Sequence, residues 1–428
     1  MKRLLLLVPH NAASRIRNGG SWGKITYRIS DADNVGAIIA LSIGNGPVIP
    51  TPLEPKNHFL CSGDTCSGQL WYRADPDLHA MWWNARRLNK ACQLEAFKNC
   101  IAGGWRNPPS TGSYLALTFS PDAPAKFPDV DITEFAAWLV TAEGVTPVAV
   151  EVQSSKVGMA QLSATWPTKT MSEISVLVIG LGSIGGAAAH ALAEYGVGTL
   201  RLLDPDRLLA HNLVRHVGPP EGVGRLKVDV IKQQLAALRA DTVVETHPWD
   251  VIESAHLVRG LLLSVDLVLC AADGVAARRV VSHLARRAKK DAVLACVLAD
   301  GSFGEVIRLR PWHDHGCLVC RRATLADKGG IDPEPGLDAG YGTGTTHRPM
   351  TAVGGDLHLL GRLAAKTAVA TVLERRGHTD QKLPGEHLLL ALRPEIGWAP
   401  PFDLTRNGET RWLPHTPPRP GCPTCEPA

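Results

Sequence analysis

Residues 176–227, VLVIGLGSIGGAAAHALAEYGVGTLRLLDPDRLLAHNLVRHVGPPEGVGRLK, decide how the second part of this chain folds. The apolar run 176–179 has the length and composition of a buried strand. It ends in Gly180-Leu181-Gly182-Ser183-Ile184-Gly185, and an alanine-rich helix follows. A second strand, 199–203, ends at Asp204, and behind it stand Asn212, Arg215 and Lys227. Glycines at a strand-to-helix turn let a nucleotide approach the backbone, and the helix N-terminus offers free N–H groups to phosphate. A carboxylate at the end of the second strand is placed for ribose hydroxyls. The glycine pattern alone is shared with dehydrogenases; the polar residues behind it narrow the reading.

Outward from this stretch the alternation continues. A helix is expected over 227–238, strands over 243–247 and 267–271, a helix over 276–289 and strands over 292–299 and 304–309. A long helix is expected near 356–376, with strands near 387–392 and 410–413. Repeated β-α-β units make an α/β fold with a mostly parallel sheet covered on both faces. Residues 323–348 show no regular pattern and hold six glycines. A loop of that length more often serves function than filler.

Ten cysteines in a large chain point to metal or catalysis rather than a disulfide framework. Four fall in two CxxC pairs, Cys317/Cys320 and Cys422/Cys425. Two distant pairs fit one shared four-thiolate zinc site. A redox CxxC is the alternative reading of the pairs, and His313 and His315 are alternative ligands for the zinc site.

The stretch 202–216, LLDPDRLLAHNLVRH, resembles the second-strand motif of the ubiquitin-activating enzyme family, whose bacterial members include ThiF and MoeB. Asp204, Asp206, Asn212, Leu213 and Arg215 fall in register with that motif, and His216 stands where it carries glutamine. A G-x-x-K follows at Gly224-Arg225-Leu226-Lys227, and the strand ending in Asp273-Gly274 matches a further family strand. The resemblance covers about residues 171–428 and includes both CxxC pairs. It implies a Rossmann-like adenylation domain that uses ATP and magnesium and carries a structural zinc. It implies that Arg215 and Lys227 contact phosphates, Asn212 orients them, Asp204 binds the ribose and Asp273 holds magnesium. Gly180, Gly182, Ser183 and Gly185 would let the nucleotide lie against the backbone. It also offers Arg278 or Arg279 as a residue turned to the site, and Arg15 or Arg17 as donors to a neighbouring subunit's site. The implied substrate is a ubiquitin-like protein ending in glycine, whose tail would thread under segment 336–344. A ubiquitin-carrier-like partner and a homodimer or internal pseudo-dimer are implied with it.

One departure from the family stands out. No cysteine lies between Cys320 and Cys422, in the crossover segment 321–350 or beyond it. Cys270 and Cys296 fall in expected buried strands, where packing is their role. Three routes stay open: direct transfer from the adenylate, an oxyester on Thr343, Thr345, Thr346 or Thr351 with His347 as base, or a cysteine replaced in this sequence. The relatives imply protein conjugation in a bacterial ubiquitin-like pathway, or sulfur-carrier activation. An NAD-dependent oxidoreductase and a non-catalytic scaffold are the readings from other classes.

Residues 1–165 form a different unit with six of the eleven tryptophans and Cys61, Cys66, Cys92 and Cys100. Strands are expected over 4–8, 35–43, 114–119 and 147–152, and helices over 78–94 and 132–142, which makes an N-terminal α/β domain. By analogy it is an inactive adenylation-like or partner-docking domain. A degenerate isopeptidase-like domain is the alternative, suggested by residues 127–131 before the second helix.

A net charge of +4 is too small to argue for nucleic acid. The start, Met1-Lys2-Arg3 and an apolar run, mimics a signal peptide but is too short and lacks a cleavage site. No apolar stretch reaches the ~20 residues needed to span a bilayer. The expectation is a cytoplasmic protein that binds neither nucleic acid nor membrane.

Overall fold

A computed structural model describes residues 4–30, 34–51, 63–153, 159–239, 241–328 and 352–426. The chain divides into two compact units, residues 1–157 and 158–428.

The first unit contains β1 (Leu5–Val8), α1 (His10–Arg17), β2 (Trp22–Ser30), β3 (Val35–Leu41), β4 (Ile49–Pro50) and β5 (Asp64–Arg73). There follow α2 (Pro76–Leu88), α3 (Leu94–Asn99), β6 (Ser113–Phe119), α4 (Ala123–Lys126), β7 (Phe135–Thr141) and β8 (Gly144–Val152). The strands run β1-β8-β7-β6-β5-β2-β3-β4, and β1 also pairs with β3, so seven of them close into a ring. Most neighbours are antiparallel, as in β2–β3, β6–β7 and β7–β8. An adenylation-like sheet needs parallel neighbours joined by crossover helices. The expectation of a second adenylation-like domain is therefore not met in strand order.

The helix expected over 132–142 is strand β7. Phe135 and Ala137 pack into one apolar cluster, while Ala136, Trp138 and Val140 pack into another. A strand covered on both faces reads as a continuous apolar run, which periodicity cannot tell from a buried helix. Residues 127–131 thus precede a strand, which removes the context of the isopeptidase-like reading. α2 stops at Leu88, six residues earlier than expected, because Asn89 turns left-handed (φ 52°) and caps it with an N–H to the Ala85 carbonyl.

The second unit contains α5 (Thr168–Ser172), β9 (Ser175–Ile179), α6 (Ser183–Glu194), β10 (Thr199–Leu203), α7 (Lys227–Leu238) and β11 (Val243–His247). Then come α8 (Ala255–Leu262), β12 (Leu267–Cys270), α9 (Val275–Arg287), β13 (Asp291–Leu298) and β14 (Phe303–Leu309). The chain continues through α10 (Leu318–Asp327), α11 (Gly354–Arg375), β15 (His387–Ala391) and β16 (Thr410–Leu413). The sheet order is β11-β10-β9-β12-β13-β14-β15-β16. Its first five strands are parallel and its last three antiparallel. α6, α7 and α11 cover one face, and α8, α9 and the start of α10 cover the other.

The direction of winding reverses at β9, which has β10 on one side and β12 on the other. Open α/β sheets bind ligands in the crevice beyond the carboxyl ends of strands at such a switch point. The site residues lie there.

Candidate functional site

Gly180 directly follows β9, and its φ of +81° is strained for any residue with a side chain. A Cβ there would also lie 2.7 Å from the amide nitrogen of Ala272, in the segment that leaves β12. Gly185 is required for a different reason: its Cβ would lie 1.7 Å from the Gly180 carbonyl oxygen. The two glycines bring the turn into contact with itself and with the neighbouring strand end. Gly182 precedes α6 with no side-chain cap, and Ser183 opens the helix buried. The first N–H groups of a helix have no intrahelical acceptor, so an uncapped start is suited to an anion.

Asp204 follows β10 and is buried. One carboxylate oxygen accepts the N–H of Leu181 (2.6 Å) and the other that of Asp206 (2.8 Å). This fixes the glycine turn to the end of β10. Each oxygen retains a lone pair for a further donor. Burial pushes the Asp204 carboxyl above its usual value, against the pull of Lys227 and the two N–H groups.

Lys227, the first residue of α7, sends its Nζ to within 2.8 Å of Asp206 Oδ2 and 3.8 Å of Asp204 Oδ1. Burial works to lower its ammonium pKa, but Asp204, Asp206 and the field of Asp273 outweigh it and hold it above the usual lysine value. Lys227 therefore stays charged at neutral pH.

Asn212 does not point its acceptor at a ligand. Its Oδ1 accepts the Leu209 N–H (3.0 Å), and its carbonyl accepts the N–H groups of Arg215 and His216 (3.0 and 2.8 Å). It builds the turn that presents Arg215. Arg215 is half-buried, and its carbonyl accepts from His358 Nε2 (2.7 Å) on α11. Asp273 is exposed, between the end of β12 and Gly274, which precedes α9. Arg278, in the first turn of that helix, is buried. Arg17 pairs within its own unit with Glu134 (Nε–Oε1 3.0 Å).

The structure thus brings the glycine turn, Asp204, Lys227 and Asp206 together. It adds a residue that sequence reasoning noted but did not assign to the site, His216. A Cβ on Gly182 would lie 3.8 Å from His216 Nε2. His216 lines a recess with Leu181, Val217 and Lys227. Its place directly after Arg215, where the motif carries glutamine, was the available signal.

The four cysteines also converge. Cys317 and Cys320 start α10, and Cys422 and Cys425 follow β16. The Sγ–Sγ distances are 3.8 Å for Cys317–Cys320, 3.6 Å for Cys317–Cys422 and 3.8 Å for Cys320–Cys425. A tetrahedral ion with zinc–sulfur bonds of about 2.3 Å requires sulfurs about 3.8 Å apart, so the set fits zinc. The backbone N–H groups of Cys317 and Arg419 point at Cys425 Sγ (3.3 Å) and Cys320 Sγ (3.4 Å), as thiolates would favour.

His315 is not among these ligands. It bonds Asp314 Oδ1 through Nδ1 (2.8 Å) and stacks on His415, with ring centroids 4.2 Å apart and planes 17° from parallel. Parallel rings do not converge their nitrogen lone pairs on one ion.

Cys270 is fully buried, and burial pushes its thiol up to about 11. Cys296 lies beside Glu305, Sγ to Oε2 3.6 Å. Segment 336–344 with Thr343, Thr345, Thr346, His347 and Thr351 lies outside the described residues. Among the described residues no helix is long and apolar enough to cross a membrane.

A sequence model of the ThiF family matches residues 154–382. Ubiquitin-like modifier-activating enzyme 5 of Arabidopsis thaliana is 28% identical over 174 residues, covering 37% of this chain and 40% of that protein. Sulfur carrier protein ThiS adenylyltransferase of Escherichia coli (strain K12) is 31% identical over 146 residues, covering 34% of this chain and 57% of that one. A crystal structure of E. coli MccB with MccA-N7isoASN has 18% identity and a TM-score of 0.46, covering 60% of this chain and 69% of that one. The chain spans about two fifths of the length of the modifier-activating relatives it matches.

Proposed function

The chain belongs to the ThiF family, and from that premise we propose that it uses ATP to adenylate the C-terminal glycine of a ubiquitin-like protein. The terminal carboxylate oxygen attacks the α-phosphorus of ATP. The bond from that phosphorus to the bridging oxygen breaks, and pyrophosphate leaves with its electron pair. The observation that carries this reading is the charged Lys227, held between Asp204 and Asp206 beside the uncapped start of α6. A cation and open N–H groups fixed in advance oppose the charge that builds on phosphorus at no cost of reorganisation. Arg215 adds a second cation, and Asn212 acts by shaping its turn. Asp204 takes the ribose through its remaining lone pairs. Asp273, exposed at the crevice, holds magnesium, which keeps several waters and needs few protein carboxylates. The four cysteines hold a structural zinc.

The product passes to a ubiquitin-carrier-like protein in a bacterial conjugation pathway. The N-terminal unit favours this route, because an added domain gives a carrier somewhere to dock. A homodimer suits the reading better than an internal pseudo-dimer, since the first unit's ring is unlike the adenylation sheet. Activation of a sulfur carrier is the second reading, favoured by the similarity to ThiS adenylyltransferase. Its product would be a thiocarboxylate rather than a conjugate.

The test is exchange of labelled pyrophosphate into ATP by the full chain with small ubiquitin-fold proteins ending in glycine. Exchange should require such a protein and fall at least about tenfold in Asp273→Ala. Undiminished exchange in that variant would remove Asp273 from the metal role. Micromolar NAD binding without exchange would turn the reading to hydride transfer.

A further inference from the structure

Resting on the nucleotide-activation reading above, we propose that His216 is a further phosphate-facing residue of the site, an imidazole that donates an N–H to the polyphosphate of the bound nucleotide.

Three observations carry this. The ring lies over the turn that opens α6, with Nε2 3.8 Å from the Cβ position of Gly182. It lines one recess with Lys227, the site's charged ammonium. Its Nδ1 is buried without a hydrogen-bond partner among the described residues. An imidazole whose Nδ1 has no acceptor carries its one N–H on Nε2, the nitrogen nearer the turn.

The surroundings decide the protonation state. The groups facing the ring are Lys227 from α7, Arg215 and His211 from its own segment, and His358 from α11. Burial first, and then these four, push the imidazole down to about 3. A neutral imidazole still carries one N–H, and a phosphoryl oxygen accepts it. Glutamine, which the family motif carries here, is likewise a neutral donor. The substitution therefore keeps the chemistry and changes its shape.

The experiment measures equilibrium binding of a non-hydrolysable ATP analogue and of adenosine to the full chain, using wild type, His216→Ala and His216→Gln. His216→Ala should weaken the analogue about tenfold and leave adenosine within about twofold, as expected for one hydrogen bond to a charged group. His216→Gln should restore analogue binding to within about threefold. The difference between wild type and His216→Gln should stay flat from pH 6 to pH 8. A His216→Ala variant that binds the analogue as wild type does, or loses both ligands equally, would overturn the assignment while leaving the adenylation reading in place. A difference that grows steeply below pH 7 would make the group an imidazolium and overturn the neutral-donor assignment. Wild-type protein that binds no analogue would overturn this inference and the activity reading together.

Discussion

Glu305 shows how much chemistry a single buried residue can hold without any motif to announce it. It lies on β14, is 1% exposed, and is paired with Arg322 through both guanidinium nitrogens, one of them at 3.0 Å. His387 Nε2 stands 2.8 Å from its other side. Arg321 donates to His387 Nδ1 (3.0 Å), so that nitrogen is an acceptor and the proton sits on Nε2. Burial alone would push the Glu305 carboxyl up, but Arg322 and the His387 contact outweigh it and hold it far below its usual 4.5. A carboxyl depressed in the folded state contributes stability above its unfolded pKa, and that contribution is lost as pH falls toward the folded value. Glu305→Gln should therefore be less stable than wild type at pH 7 by about 3 kcal/mol, since it leaves Arg322 without its buried partner. The gap should narrow as pH drops below about 4.5. Urea titrations at a series of pH values read this directly, and a gap independent of pH would mean the carboxylate charge is not what matters. None of this was visible in sequence, because partners 17 and 82 residues away meet only after the sheet has formed. Asp204, Arg215 and Lys227 could be picked out from their spacing, and His216 passed as a mere variation.

At the scale of elements, the legible parts were those whose burial follows one clear period. The strand–turn–helix from β9 to α6 and the helix α7 were expected within a residue or two of their observed bounds. What hid β7 was burial on both faces, and α10 runs on to Asp327, into the stretch from 323 whose sequence shows no regular pattern. The glycine turn carries its own prediction. Gly185→Ala places a methyl group where the Gly180 carbonyl now sits, and that carbonyl is backbone that cannot swing aside. The turn must open. Overpacking of this kind costs about 1–3 kcal/mol, and here the displaced groups are the N–H donors of the α6 start. Nucleotide binding should fall more steeply than stability does. Calorimetric titration with the ATP analogue beside thermal melting separates the two, and an unchanged affinity in a destabilised variant would place the nucleotide elsewhere.

At the scale of the whole chain, the four-cysteine site decides whether the last residues of the second unit belong to its fold. After β16 ends at Leu413, residues 414–426 form neither helix nor strand. Besides the sulfurs of Cys422 and Cys425, they are attached by the Gly316 N–H to the Thr416 carbonyl (2.6 Å), Arg321 to the Pro414 carbonyl (3.0 Å), the His315–His415 stack, Arg419 with Asp327 and Cys320 Sγ, and His283 with Thr424 (3.2 Å), nearly all single polar contacts. The other CxxC pair is held independently of any ion. Arg286 donates to the carbonyls of Arg310, Trp312 and His315 (3.1, 2.8 and 2.7 Å), and Arg322 ties α10 to β14 through Glu305. Removing the ion should therefore release the tail and spare the sheet. Cys317 and Cys422 are 105 residues apart, and a link across a loop of about that length can contribute some 4–5 kcal/mol by restricting the unfolded chain. Purified protein should hold one zinc per chain, and Cys317→Ser/Cys422→Ser should hold none. In that variant, or after chelation, limited proteolysis should cut first within 414–426 while the parallel strands stay protected, and the melting temperature should fall by several degrees. Full zinc occupancy in the double variant would refute the ligand set. Zinc loss with an uncut tail would show that the contacts at Pro414, His415, Thr416, Arg419 and Thr424 hold it without the ion.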